Sequence, residues 1–388
     1  MPFLGGKLMI LFKNVHVYAP EDLGIQDVLV AGTKIEKIAP SIDIQGIEME
    51  IIDGQGKKLI PGLIDNHVHI CGGGGEGGFA NRTPSIDVND MVEAGVTTVF
   101  GLLGTDGTTR TMANLLAQVY GIESVGLNAY ALTGSYEVPV KTITSSIQED
   151  IILFDKIIGT GEIAISDHRS CCPSEQELIR LVSQSRLGGI LSGKSGVVIF
   201  HLGDGKEGIQ PIYSLFDQTD IPKHQVLLTH MARNPRLFEE GLNYAKDGGF
   251  IDFTTSRAHE KEFSAADALI YAYQHDIPLS QITISSDGQG SLPVFDEQGN
   301  FQSLTYATCR TLKECLQTAI KEIPLEKVLP CATSQVADLF HIPNKGRIQE
   351  GKDADLVLMD DYFEVEYLVS KGQWMKKAHQ LCIPTAFR

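Results

Sequence analysis

His67 and His69 stand one residue apart at the end of the apolar run Leu59-Ile60-Pro61-Gly62-Leu63-Ile64. Side chains at i and i+2 of a strand point the same way, so these two imidazoles can aim at one point. Zinc and similar borderline metals take neutral nitrogen ligands converging at about 2.0–2.1 Å. Four more candidate ligands stand in strand-like segments. Glu162 opens Glu162-Ile163-Ala164-Ile165-Ser166-Asp167-His168, and His201 ends Val197-Val198-Ile199-Phe200-His201. His230 ends Val226-Leu227-Leu228-Thr229-His230, and Asp287 ends Ile282-Thr283-Ile284-Ser285-Ser286-Asp287. His16, His224, His259, His275, His341 and His379 lie away from any such strand end.

Positioning six ligands from distant segments requires a rigid frame. Strand-like and helix-like stretches alternate from Leu63 onward. Helical stretches are expected at Ile86–Ala94, Met112–Val119, Ser146–Ile158, Glu175–Leu187, Phe238–Lys246 and Ala265–His275. Ser146–Ile158 carries apolar residues at Ile147, Ile151, Phe154 and Ile158, a helical rhythm, with Ser145 or Ser146 as its cap. Alternation at this spacing means parallel strands with right-handed crossovers. Eight such strands precede residue 290. The expected fold is an α/β (β/α)8 barrel of the TIM type, with its chemistry at the strand ends.

The two chain ends read differently. Met9–Tyr18, Asp27–Val30 and Lys34–Ile38 are strand-like, as are Asp353–Met359 and Phe363–Val369. They suggest a small β-sandwich built from both termini, residues 1–60 and 344–388, around a barrel spanning 61–343.

A net charge of −17 disfavours nucleic acid and anionic membrane as partners, since both would repel it. The N-terminal stretch lacks the pattern of a secretory signal, and no apolar run reaches the roughly 18–20 residues of a bilayer span. The seven cysteines include no CxxC pair, which fits a reducing, cytoplasmic setting. The adjacent Cys171-Cys172 is read as a packing or loop element.

The run Pro61-Gly62-Leu63-Ile64-Asp65-Asn66-His67-Val68-His69 resembles the amidohydrolase superfamily, as do the later His, His and Asp. The glycine run Gly72–Gly75 with Glu76 resembles that of the bacterial isoaspartyl dipeptidases. So do Arg82-Thr83-Pro84, Gly101–Asp106, Leu132–Tyr136, Ala164–Ser170 and Ser285–Ser291. This resemblance covers almost the whole chain. It implies a metallopeptidase with two divalent metal ions, zinc foremost. His67, His69 and Asp287 would hold one ion and His201 and His230 the other, with a carboxylate and a hydroxide bridging them.

The family has a carboxylated lysine where this chain has Glu162. Glutamate supplies the same two-oxygen anion without CO2, on a shorter stem. The strand must then sit closer, the metals must shift, or one metal must be held weakly. Lys156 and Lys194 do not match the lysine's place in the pattern.

By the same resemblance the bridging hydroxide attacks the β-aspartyl amide, with Asp287 as proton shuttle and Tyr136 donating to the carbonyl oxygen. Substrate contacts are implied for Gly74, Gly75, Glu76, Thr105, Tyr136, Arg169, Arg233 and Ser291. Glu76 would take the α-amino group and the arginines the two carboxylates, which suits their planar forks. His168 is given no metal role. A homo-oligomer, an octamer by the family pattern, is expected. The competing expectation is another amidohydrolase acting on N-acyl amino acids or acetylated substrates, for which Glu76 would be dispensable.

Overall fold

In the computed structural model, residues 9–76, 78–256, 263–295 and 301–383 are described; His259 lies outside them. Eight strands form one parallel sheet in chain order. They are β1 (Leu63–Val68), β2 (Val96–Gly101), β3 (Asn128–Thr133), β4 (Ile157–Ile165), β5 (Val197–Leu202), β6 (Val226–Thr229), β7 (Phe250–Thr254) and β8 (Ile282–Ser285). The last strand returns to the first. Val68 bridges Gly288 in parallel, and His69 N–H donates to Gly288 O at 2.8 Å. The sheet is therefore closed into the expected barrel.

Burial on both faces explains why the strands read as apolar runs rather than as clean alternations. Every residue of β1 and of β4 is buried. Ile64, Phe100, Leu132, Ile158, Ile199 and Leu227 fill the lower lumen, joined there by Val336, Ala337 and Phe340. Phe340 seals this floor against Phe100, with ring centroids 4.7 Å apart. Packing alone thus closes one end of the barrel, and the other end is left for polar groups.

The crossover helices carry local start and stop signals. Helix Glu175–Ser192 begins with a reciprocal capping box between Ser174 and Glu177 and ends where Gly193 adopts φ +71°. It runs five residues beyond the expected Leu187. The expected Ser146–Ile158 helix is shorter, spanning Ile147–Leu153, with Ser146 as its cap. Phe154 is extended, and Ile157 and Ile158 already belong to β4. A strand following a helix directly can continue the apolar rhythm, so periodicity alone did not mark the boundary.

The chain ends combine into one nine-stranded sheet. Leu356–Met359 from the C-terminal part pairs antiparallel with Lys58–Pro61 from the N-terminal part. Met9–Tyr18 runs parallel to Glu50–Asp53 and Lys58–Pro61, so the sheet is mixed. Gln373–Lys377 lies four strands from Met9–Tyr18 along the sheet, roughly 19 Å if flat at about 4.8 Å per strand. Yet Phe12 and Trp374 have ring centroids 5.9 Å apart. The sheet must therefore fold over itself, making a sandwich around Ile10, Val28, Ile35, Leu59, Leu356 and Val369.

A buried polar network joins this sandwich to the barrel floor. Lys345 Nζ donates to Asn128 Oδ1 at 2.8 Å and to Asp355 Oδ2 at 2.7 Å, and pairs with Asp353 at 2.8 Å. Asp355 also accepts from Asn128 Nδ2 and from Lys371 N–H. Among the described residues, no helix is long and apolar enough to cross a membrane.

Candidate metal centre and its cavity

The six ligand candidates converge at the C-terminal end of the barrel. His67 lies within β1 and His69 just past it, with ring centroids 5.6 Å apart. His201 lies within β5. His230 follows β6 and Asp287 lies two residues past β8, both left-handed, at φ +66° and +53°. Such a backbone costs a non-glycine residue on the order of 1–3 kcal/mol and persists where surrounding structure enforces it.

Glu162 does not open its strand as expected. It is buried in the middle of β4. There β4 advances three residues, Thr160 to Ile163, while β5 advances two, Val198 to Phe200. An extra residue of this kind bends a strand and redirects a side chain.

The carboxylate of Glu162 is the hub. Its Oε2 lies 3.2 Å from His67 Nε2, 3.1 Å from His201 Nδ1 and 3.7 Å from His230 Nε2. Its Oε1 lies 3.4 Å from His69 Nε2. Asp287 Oδ1 stands 3.1 Å from His69 Nε2 and 3.7 Å from His67 Nε2. Two sets of side chains can each hold an ion: His67, His69 and Glu162, and Glu162, His201 and His230. Glu162 belongs to both.

The donors fit a divalent metal pair. Among the described residues, neither ring nitrogen of His67, nor His69 Nδ1, nor Asp287 Oδ1 makes a hydrogen bond of good geometry, although Asp287 Oδ1 faces His69 Nε2. Buried polar atoms are rarely left so. Although burial opposes it, the Glu162 carboxylate drives His67 toward protonation, up to about 9. Burial would also raise Glu162, but the imidazoles, His67 foremost, hold it well below the usual carboxylate range. The cluster is thus an anionic site that draws in positive charge. Soft and borderline cations suit its four nitrogens, and the carboxylates admit Zn2+.

A cavity of about 470 Å³ opens above this cluster and takes in Gly74, Glu76, Thr105, Arg169, Arg233 and Ser291. Glu76 Oε1 accepts from Thr105 Oγ1 at 2.8 Å and from Arg169 Nη1 at 3.2 Å, and Ser291 Oγ donates to Oε2 at 3.4 Å. Burial opposes ionisation of Glu76, but its hydrogen bonds and Arg169 leave its pKa below normal. Gly74 adopts φ +70°, and a Cβ there would come within 2.6 Å of Asn81 O. Only glycine suits that position. Gly75 does not line the cavity, and its N–H donates to Asn81 O. Tyr136 is buried, with its hydroxyl 2.8 Å from His201 Nδ1. Burial and then Glu162 push its phenol well above the usual value, so it stays protonated. The His168 side chain is 88% exposed at the edge of the cavity and lies 3.5 Å from Asp167.

Two residues of the site escaped the sequence reading. A Cβ on Gly104 would come within 2.8 Å of His69 and 3.3 Å of Glu162, so this glycine leaves room for the cluster. Asp167 binds Arg169 and His201 together. Both lie inside stretches singled out above. The available signal was a carboxylate two residues before a candidate arginine.

The amidohydrolase family matches residues 232–375. The chain is similar over its full length to the crystal structure of a beta-aspartyl dipeptidase from Fervidobacterium islandicum AW-1 in complex with beta-Asp-Leu dipeptide. Identity is 44%, covering 99% of this chain and 100% of that one, with a TM-score of 0.93. A dihydropyrimidinase from Brevibacillus agri, 14% identical with a TM-score of 0.68, shares the fold alone. A dihydroorotase from Pediococcus pentosaceus is 29% identical over 164 residues, 41% of this chain. That match spans 35% of the dihydroorotase, about a third of this curated relative's length. The chain belongs to the amidohydrolase superfamily and, within it, to the isoaspartyl dipeptidase family. It is a hydrolase of that superfamily.

Proposed function

We propose that the protein is a zinc-dependent dipeptidase that hydrolyses the β-aspartyl bond of isoaspartyl dipeptides. One observation carries the reading. Glu76 and Arg169 present a carboxylate and a guanidinium 3.2 Å apart in the cavity that opens on the metal-type cluster. The α-carbon of an isoaspartyl residue bears an ammonium and a carboxylate side by side. Neighbouring poles of opposite sign suit that zwitterion, with Glu76 facing the ammonium and Arg169 the carboxylate. Arg233 is the counterpart for the carboxylate of the leaving residue.

His67, His69 and Asp287 would hold one ion and His201 and His230 the other, with Glu162 shared. When bound, such a pair lowers the pKa of an attacking water and polarises the scissile carbonyl. Asp287, whose Oδ1 faces the cluster 3.1 Å from His69 Nε2, takes the proton of the attacking water and passes it to the leaving amine. Tyr136, held as a neutral phenol, donates to the oxygen on which negative charge develops. Assembly into a homo-oligomer belongs to the same reading. Leu153, Leu187, Ile190 and Leu191 expose apolar surface on two adjacent helices, as interfaces do.

The test is hydrolysis of β-aspartyl-leucine beside α-aspartyl-leucine with zinc supplied. Cleavage of the β isomer alone is expected. Failure to cleave it would overturn the reading and favour N-acylated substrates.

A further inference from the structure

Asp167 is buried between the two halves of the site, its side chain 2% exposed. Its Oδ1 accepts from the N–H and Nε of Arg169, at 2.8 and 2.9 Å, and its Oδ2 accepts from Arg169 Nη2 at 2.8 Å. The same Oδ2 lies 3.1 Å from His201 Nε2 and 3.9 Å from Arg233 Nη1. Arg169 Nη2 is itself 3.2 Å from His201 Nε2, so Oδ2 is shared by two neighbouring donors. Guanidinium cannot accept, so an Nε2 proton has Asp167 as its acceptor. That tautomer leaves the lone pair on Nδ1, the nitrogen 3.1 Å from the shared Glu162. Neighbouring backbone makes room for this arrangement, for a Cβ on Gly203 would come within 2.5 Å of Asp167 Oδ2.

We propose that Asp167 is a positioning residue that uses one carboxylate to orient His201 for metal and Arg169 for a substrate carboxylate. The two halves of the site are therefore set together. The Arg169 half rests on the dipeptidase reading; the His201 half does not. A carboxylate behind a ligating imidazole fixes its tautomer and raises its basicity. A bidentate partner behind an arginine fixes the plane of its fork.

The experiment is zinc titration of metal-free protein against a chromophoric chelator, for the wild type, Asp167→Asn and Arg169→Met, with KM and kcat measured alongside. Asp167→Asn is expected to weaken at least one of the zinc equivalents by about 10- to 100-fold. It should also raise KM by about 10- to 100-fold, the scale of one lost charged hydrogen bond. Arg169→Met should raise KM similarly and leave zinc affinity within about twofold, because His201 keeps its acceptor. A residue that only stabilises the fold would lower the melting temperature and leave the zinc affinity of the folded protein unchanged. Wild-type zinc affinity in folded Asp167→Asn would overturn the proposal. If that variant does not fold, the same titration on Asp167→Ser decides by the same criterion. Absence of β-aspartyl hydrolysis by the wild type would defeat the dipeptidase reading, whereas the zinc ratio would still decide whether Asp167 orients His201.

Discussion

At the barrel floor, Lys345 Nζ reaches three acceptors, and the carboxylate of Asp355 that takes one of these contacts is filled by two further donors. At the opposite end, neither His67, nor His69 Nδ1, nor Asp287 Oδ1 has a properly made hydrogen bond among the described residues. Both clusters are buried and rich in charge. The floor network is complete by itself and ties the terminal sandwich to the barrel. The upper cluster is incomplete by itself, and its satisfaction depends on what binds there. This asymmetry matches the division of a (β/α)8 barrel into a stability face and a catalytic face.

Substitutions should separate the two ends. Asp287→Asn keeps the shape and removes the proton acceptor. It is expected to lower kcat by about 10²- to 10⁴-fold. The melting temperature should change little, and metal analysis should still find zinc bound. Near-wild-type kcat would remove Asp287 from the proton path.

Lys345→Met should do the reverse. It removes the cation from the buried carboxylate of Asp355, an effect on the order of 3–5 kcal/mol of stability, with KM and kcat unchanged in the folded fraction. Burial alone would lower the Lys345 pKa, but Asp355 and Asp353 raise it above its ordinary 10.5. A raised cationic pKa contributes stability that is complete below the unfolded value and lost as pH climbs through the folded one. The melting gap between wild type and Lys345→Met should therefore hold steady from about pH 7 to 9 and shrink above about 10.5, the ordinary lysine value. A gap that stayed constant to pH 11 would take the charge of Lys345 out of the account.

The smallest effect expected is none. Glu162 needs no carboxylation, so metal-free protein reconstituted with zinc should regain equal activity with and without bicarbonate. A bicarbonate requirement would point to a carbamate elsewhere in the upper cluster and would end the role of Glu162 as the shared anion.

Much of this is legible in the order of residues alone. Two histidines at i and i+2 could only share a face, and regular strand–helix alternation left few topologies. What stayed hidden arose where two chain segments meet. The extra residue that presents Glu162 exists only as a mismatch between β4 and β5. The left-handed backbone of His230 and Asp287 is set by what surrounds them rather than by their residue types. Asp167 was visible as a residue and silent as a contact, because His201 lies 34 positions away. The folding of the terminal sheet onto itself appears only when Phe12 meets Trp374.

The sequence by itself determined the candidate ligand types and the barrel class, since these depend on residue chemistry and short-range periodicity. Tertiary structure alone decided that one carboxylate faces four imidazoles, that another serves His201 and Arg169 at once, and that the floor network is satisfied while the upper cluster is not. Those outcomes depend on distances of about 3 Å between segments far apart in the chain, which hydrogen bonding and charge require and local pattern does not encode.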